Sequence, residues 1–125
     1  MKPNSTILVV DDEPDLRELL QQVLEMHGYN VLQAGSGKEA LEVWEKNSSR
    51  IDLLLTDLIM PEGMSGVALA GRLQTHRPLL KVVYTSGHPK ETAVEKYSLP
   101  PDSRFLQKPF NPSALAQLIQ SCLEP

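Results

Sequence analysis

The chain has 125 residues and a formal net charge of −4 at pH 7, because its acidic side chains outnumber its basic ones. This length is sufficient for one hydrophobic core without disulfides or a structural metal, and the acidic balance argues against direct nucleic-acid binding. The single cysteine, Cys122, excludes an internal disulfide and favours a reducing, cytoplasmic setting. No segment is long and apolar enough to suggest direct insertion into a membrane.

Strand and helix patterns alternate five times along the chain. Short apolar runs predict strands over residues 7–10, 30–34, 51–57, 80–85 and 104–107. The first predicted helix runs from Pro14 to His27 and carries one apolar stripe that we expect to face the core: Leu16, Leu19, Leu20, Val23 and Leu24. Further helices are predicted after Ser36, over 67–74, over 91–97 and after the cap Asn111.

Alternating strands and helices predict an α/β fold in which right-handed crossovers build one parallel sheet with helices on both faces. We expect residues 1–5 to be a flexible N-terminus and residues 6–123 to form one domain, with no output domain in this chain.

Acidic residues follow two of the predicted strands. Asp11 and Asp12 come directly after the first strand, and Asp57 ends the third. The carboxyl ends of parallel strands meet at one edge of an open sheet, so these acids and Lys108, after the fifth strand, are expected to converge there. In isolation, Asp11 and Asp12 are more often turn and cap residues. Clustered carboxylates require a cation, and oxygen ligands favour Mg²⁺.

Together these residues resemble the receiver domain of bacterial two-component response regulators. The resemblance extends from about Thr6 to Leu123 and rests on the following matches: Asp11-Asp12, Asp57, Met60-Pro61, Gly66, Ser86-Gly87, Phe105 and Lys108-Pro109. It implies a flavodoxin-like sheet with strand order 2-1-3-4-5. It also implies transfer of a phosphoryl group from phosphohistidine to Asp57, assisted by Mg²⁺.

The resemblance assigns a role to each residue of the site. Asp12, Asp57 and the backbone carbonyl of Ile59 are expected to ligate Mg²⁺ directly, and Asp11 largely through water. Lys108 and the hydroxyl of Ser86 are expected to contact the phosphoryl oxygens.

Other matched positions are assigned to the switch and its surroundings. Gly87 is expected to leave room for the phosphoryl group, and Phe105 to turn inward when the hydroxyl at Ser86 moves. A cis peptide bond is implied before Pro109. Their strand-end positions predict that Ser86 and Lys108 lie on an open rim.

Two side chains are expected to tune the lifetime of the phosphorylated state. Ile59 and His88 stand two positions after the acceptor and the switch hydroxyl, where family members flank the path of the hydrolytic water. Ile59 can block water but cannot orient it, whereas the imidazole of His88 can do either.

The segment from Gly35 to Ala40 fits the pattern G-x-G-x-x-A of dinucleotide-binding turns. It follows the second predicted strand, and Ser36 with Glu39 forms a capping box, which is the interpretation we favour. A nucleotide-cofactor binder is nevertheless one alternative function. Another is a haloacid-dehalogenase-like phosphatase, although Ile59 stands where that class needs a second Asp. A third is an interaction module that is never phosphorylated.

The resemblance implies a histidine kinase or a histidine phosphotransfer domain as the phosphodonor, and a weak homodimer is a further expectation. The downstream partner is not predicted. The domain itself is expected to perform only self-assisted phosphotransfer and autodephosphorylation, so it is not an enzyme in the usual sense. The runs 61–66 and 84–88 look most like receivers attached to hybrid sensor histidine kinases.

Overall fold

The computed structural model describes residues 4–60 and 63–123. Strands and helices alternate in the following order: β1 (Thr6–Val10), α1 (Pro14–Met26), β2 (Asn30–Ala34), α2 (Gly37–Asn47), β3 (Ile51–Asp57), α3 (Gly66–His76), β4 (Lys81–Ser86), α4 (Lys90–Tyr97), β5 (Arg104–Gln107) and α5 (Pro112–Leu123). All the strand pairs are parallel, and the sheet order is β2-β1-β3-β4-β5. The predicted flavodoxin-like architecture is confirmed.

The core consists of two apolar layers, one on each face of the sheet, because successive strand residues point to opposite faces. One layer joins the sheet to α2, α3 and α4 through residues such as Leu54, Trp44 and Leu69. The other joins it to α1 and α5 through Leu55, Leu24 and Ile119, among others. Helices therefore cover both faces and leave the strand ends open for a site.

Several boundaries differ from those predicted. Helix α3 was expected over 67–74 but spans Gly66–His76, because Ser65 caps it by accepting a hydrogen bond of 3.1 Å from the amide of Ala68. Strand β4 ends one residue later than expected, so Ser86 is its last residue.

The stripe predicted on α1 faces the core only in part. Leu20 and Leu24 are buried, but Leu19 is 49% exposed, so its expected core position was wrong. The reason is geometric: the stripe is wider than the part of α1 that contacts the sheet, and Leu19 lies instead along the groove between α1 and α5.

Some of the predictions concern residues that lie outside the described ranges. These are residues 1–3 of the predicted flexible N-terminus and Pro61 of the Met60-Pro61 match. The carbonyl groups of Asn4 and Ser5 accept hydrogen bonds of 2.9 Å from Asn30. Among the described residues, no helix has the length and apolar character needed to cross a membrane.

Candidate functional site

Three carboxylates converge at the carboxyl edge of the sheet. Asp11 and Asp12 follow β1, Asp57 ends β3, and one oxygen from each lies within 4.8 Å of the others. Asp11 and Asp57 are buried and Asp12 is exposed. Neighbouring parallel strands β1 and β3 thus bring together acids that are far apart in sequence.

Lys108 joins the cluster from the end of β5. Its Nζ donates to Oδ2 of Asp11 at 2.9 Å and to Oδ2 of Asp57 at 3.2 Å. Its backbone amide donates to the carbonyl of Ser86 at 2.7 Å, and the peptide bond to Pro109 is cis. The ammonium of Lys108 therefore pairs with two of the three clustered carboxylates, those of Asp11 and Asp57.

Asp57 is poised between opposing electrostatic effects. Burial raises the pKa of its carboxyl group above the ordinary value, and the neighbouring charge of Asp11 adds to this rise. The ammonium of Lys108 and a hydrogen bond from the backbone of Ile59 act in the opposite direction without cancelling it. Burial lowers the pKa of Lys108, but its hydrogen bonds and ion pairs with Asp11 and Asp57 leave that pKa raised overall.

The oxygen-only donor set fits a hard divalent cation. Asp11 already accepts a hydrogen bond of 2.9 Å from the amide of Glu13 at one carboxylate oxygen and the Lys108 contact at the other. The exposed carboxylate of Asp12 is therefore better suited to direct ligation than that of Asp11. A site with few protein ligands suits Mg²⁺, which keeps several of its waters.

Ser86 lies beside the acids but not on an open rim. It is 1% exposed, and its hydroxyl oxygen accepts a hydrogen bond of 3.1 Å from the amide of His88. The expectation of an open rim was wrong for Ser86, because it is the buried last residue of β4 and is hydrogen-bonded to the backbone of the turn that follows. At Gly87 an added Cβ would meet no atom within 4 Å, so there is open space at this position.

The remaining predicted residues surround this centre. Phe105 is partly buried, packs on the α3 and α4 side of the core and stands opposite Tyr84 in the strand register. His88 is exposed, and its ring centroid lies 5.5 Å from that of Tyr97 at the end of α4. Ile59 is 41% exposed at the rim.

Comparison with known proteins identifies the family to which this site and fold correspond. A family profile described as "Response regulator receiver domain" matches residues 7–120. The chain belongs to this family.

This receiver domain is similar to parts of larger proteins and to a single-domain protein. It is 35% identical to sensor kinase CckA of Brucella abortus over 97% of its own length but only 13% of that protein's. It is 34% identical to the response regulator receiver protein CpdR of the same organism, over 94% of this chain and 95% of CpdR.

Solved receiver structures share its fold. The receiver domain of hybrid histidine kinase CckA has a TM-score of 0.78 at 33% identity, covering 95% of this chain and 99% of that one. TrrA from Thermotoga maritima, solved in complex with Mg(2+)-BeF, has a TM-score of 0.80 at 33% identity and the same coverage of each chain.

In this receiver domain, the dinucleotide-like segment is a packed helix cap. Ser36 accepts a hydrogen bond of 3.1 Å from the amide of Glu39, and the Glu39 carboxylate accepts one of 2.6 Å from the amide of Gly35. An added Cβ at Gly37 would lie 2.7 Å from the sulfur of Met64, so Met64 packs directly against this glycine. The Ser36 half of the predicted capping box is confirmed, whereas Glu39 bonds the amide of Gly35, one residue before the cap, instead of that of Ser36.

Sequence reasoning missed two contributions to the site. Gly66 was recognised only as a family match, yet an added Cβ there would lie 2.4 Å from the Asp57 carbonyl oxygen. Arg17 was not singled out, although its guanidinium donates to the Asp11 carbonyl at 2.7 Å. The available signal was a charged residue one turn into α1, close to an otherwise apolar stripe.

Proposed function

We propose that this receiver domain accepts a phosphoryl group from a phosphohistidine onto Asp57, with Mg²⁺ as cofactor, and thereby changes the surface that its partners bind. The observation that carries this proposal is a buried strand-end carboxylate that shares one ammonium with Asp11 and has an oxygen within 4.8 Å of carboxylate oxygens of Asp11 and Asp12.

The chemistry assigned to the chain's own residues is a displacement at phosphorus. A carboxylate oxygen of Asp57 forms the new O–P bond while the N–P bond to the imidazole breaks, and the imidazole leaves with that electron pair. Lys108 already contacts Asp57 and is within reach of a phosphoryl oxygen attached there. Bound at Asp12, Asp57 and the Ile59 carbonyl, Mg²⁺ would supply positive charge to the transferring phosphoryl group.

The proposed conformational change on phosphorylation begins at Ser86. Its hydroxyl accepts from the amide of His88 and keeps its O–H free to donate, and we expect the side chain to move toward a phosphoryl oxygen on Asp57 to which it donates. That movement would leave space next to Phe105, the partly buried aromatic on β5, and loosen the turn before α4.

The phosphodonor is proposed to be a histidine kinase or a histidine phosphotransfer domain. An apolar groove of about 450 Å³ between α1 and α5 reaches Lys108 and is lined by Leu16, Leu19 and Phe110, among others. A helix presenting the phosphohistidine could bury its apolar side there while its imidazole reaches Asp57. Similarity to the CckA receiver supports a hybrid histidine kinase as the parent protein.

The fold is that of a signalling module, not of a classical enzyme. We propose that slow autodephosphorylation is the only further reaction that the domain supports. The cytoplasmic location expected from the unpaired cysteine belongs to the same proposal.

The test is phosphorylation with acetyl phosphate and Mg²⁺, followed by intact-mass measurement. We expect one phosphoryl adduct in the parent and in Asp102→Asn, an exposed acid that serves as control. Asp57→Asn and chelation with EDTA should each abolish the adduct. An adduct that persists in Asp57→Asn would refute the acceptor, and a domain that takes up no phosphoryl group would favour an unphosphorylated interaction module.

A further inference from the structure

We propose that Arg17 is a positioning residue for the cation site: its guanidinium fixes the turn that presents Asp11 and Asp12. This inference rests on the proposed function, because it assumes that these acids help to hold Mg²⁺.

Arg17 reaches the site from the first turns of α1. Its Nη1 donates to the carbonyl oxygen of Asp11 at 2.7 Å. That carbonyl belongs to the peptide bond that joins Asp11 to Asp12, so the guanidinium fixes the plane of the link between the two acids. A charge-assisted bond of this length is among the stronger hydrogen bonds in proteins.

A polar residue of β2 holds the guanidinium in place. Gln33 pairs with Val9, which faces the apolar layer under α1 and α5, and its side chain points toward α1. Its Oε1 accepts a hydrogen bond of 3.2 Å from Nε of Arg17, and its amide donates to Gln21. A partly buried amide must find such partners, so Gln33 restricts Arg17 to this direction.

The glycine after β2 leaves space for the same group. An added Cβ at Gly35 would lie 3.0 Å from Nη1 of Arg17. The guanidinium of Arg17 therefore packs directly over the first glycine of the dinucleotide-like motif. The motif contributes to the site indirectly, through Arg17.

The two acids differ in how firmly their side chains are held. Asp11 is buried and bonded to Glu13 and Lys108, whereas Asp12 is exposed and takes its direction from the backbone. Loss of the Arg17 bond would free the peptide between them and scatter the carboxylate of Asp12. Preorganised oxygens bind a cation more tightly than mobile ones because less freedom is lost on binding.

Electrostatics and positioning predict opposite results when Arg17 is removed. Deleting a positive charge next to an acidic cluster should, by Coulomb's law alone, strengthen the binding of Mg²⁺. Loss of preorganisation should weaken it. The sign of the change therefore separates the two roles.

The experiment is calorimetric titration of Mg²⁺ into the unphosphorylated protein, with thermal unfolding measured on the same samples. We expect Arg17→Ala to bind Mg²⁺ about tenfold more weakly than the parent, which is the size of one charge-assisted hydrogen bond. Arg17→Lys should recover part of the loss, because the ammonium keeps the charge near the carbonyl but lacks the separate Nε and Nη1 donors with which arginine bonds Gln33 and Asp11 at once. Arg72→Ala, which removes an exposed arginine from α3, should match the parent.

A second variant protects the test if Arg17→Ala does not fold. Gln33→Leu keeps the charge of Arg17 but removes its anchor, and an intermediate loss of Mg²⁺ affinity is expected. Binding as tight as the parent's in folded Arg17→Ala, or in both Arg17→Lys and Gln33→Leu, would overturn the inference alone. A parent that binds no Mg²⁺ would instead overturn the proposed function together with it.

Discussion

At Asp57, the ionised form that the proposed phosphoryl transfer requires is also the form that burial destabilises. Burial raises the pKa of its carboxyl group above the ordinary value of 3.8, which means that the folded protein disfavours the ionised form. The attack on phosphorus proposed for Asp57 nevertheless requires the ionised carboxylate. Keeping Asp57 ionised at neutral pH therefore lowers the stability of the folded state. The positive charges of Lys108, and of Mg²⁺ when bound, would offset part of this loss.

We expect Asp57→Asn to raise the melting temperature at neutral pH in the presence of EDTA. Because the folded pKa lies above the unfolded one, the stabilisation from this group is complete below about pH 3.8 and is lost as pH rises through the raised value. The advantage of the variant should accordingly shrink as pH falls. Thermal unfolding from about pH 4 to pH 7, with Asp102→Asn as control, measures this, and an advantage that grows toward acid would contradict it.

Lys108 should contribute more to stability than an open-rim position would suggest. Its ammonium is the described partner of two buried carboxylates, and removal of one member of a buried pair costs about 3–5 kcal/mol. Lys108→Ala should therefore unfold at clearly lower denaturant in EDTA. Mg²⁺ should restore more stability to it than to the parent, because the ammonium no longer competes for the same oxygens.

Denaturant titrations with and without Mg²⁺ test this expectation. Lys38→Ala, at an exposed position of α2, is the matched control and should change little. An equal gain from Mg²⁺ in parent and Lys108→Ala would show that the ammonium and the cation do not share the site.

Ile59 is expected to control how long a phosphoryl group persists. Its apolar side chain is 41% exposed at the rim and can block water from the phosphorus without orienting it. Ile59→Asn should lose the phosphoryl group several-fold faster than the parent, and Ile59→Val should behave like the parent. The decay of the adduct is followed by intact mass from mildly acidic to mildly basic pH. The gating idea fails if Ile59→Asn decays no faster at any pH.

At the scale of elements, the junction of β3 and α3 depends on one glycine. The amide of Gly66 donates to the Leu58 carbonyl at 2.8 Å, and an added Cβ would lie 2.4 Å from the Asp57 carbonyl oxygen. The start of α3 can approach the acceptor strand this closely only without a side chain at position 66.

Gly66→Ala should lose about 1–3 kcal/mol of unfolding free energy, the usual cost of overpacking, and should slow phosphorylation by displacing Asp57. Gly71→Ala is the control in the same helix. It meets no atom within 4 Å and should gain about 0.5–1 kcal/mol from helix propensity. Denaturant unfolding of both variants tests this prediction. Similar stabilities of Gly66→Ala and Gly71→Ala would contradict a close approach of Gly66 to the Asp57 carbonyl.

At the scale of the whole molecule, the groove between α1 and α5 should matter only to a protein phosphodonor. Leu19 lines this groove, whereas Met26, also exposed on α1, does not line it. Leu19→Gln should slow transfer from a histidine phosphotransfer domain but not from acetyl phosphate, because the small donor needs no docking surface. Met26→Gln should change neither rate. If Leu19→Gln slowed transfer from both donors equally, the defect would lie in the phosphoryl-transfer step and not in docking of the donor protein.

The sequence by itself determined the elements and the identity of the chemical groups. Runs such as Asn30–Ala34 and Arg104–Gln107 were predicted with the bounds they have, because apolar periodicity and flanking turn residues act locally. The acids at strand ends were predicted to meet because the carboxyl ends of parallel strands share an edge. The strand order itself came from the resemblance to a known family.

Only the tertiary structure decided which groups are buried and which touch. It covered Ser86, exposed Leu19 and directed Arg17 onto the Asp11 carbonyl. It also joined Lys108 to a carboxylate 97 residues away in the chain. These outcomes depend on how helices pack against a sheet and against each other, at distances set by side chains from several elements at once. Local patterns contain no information on that packing, because a helix stripe is the same whichever neighbour covers it.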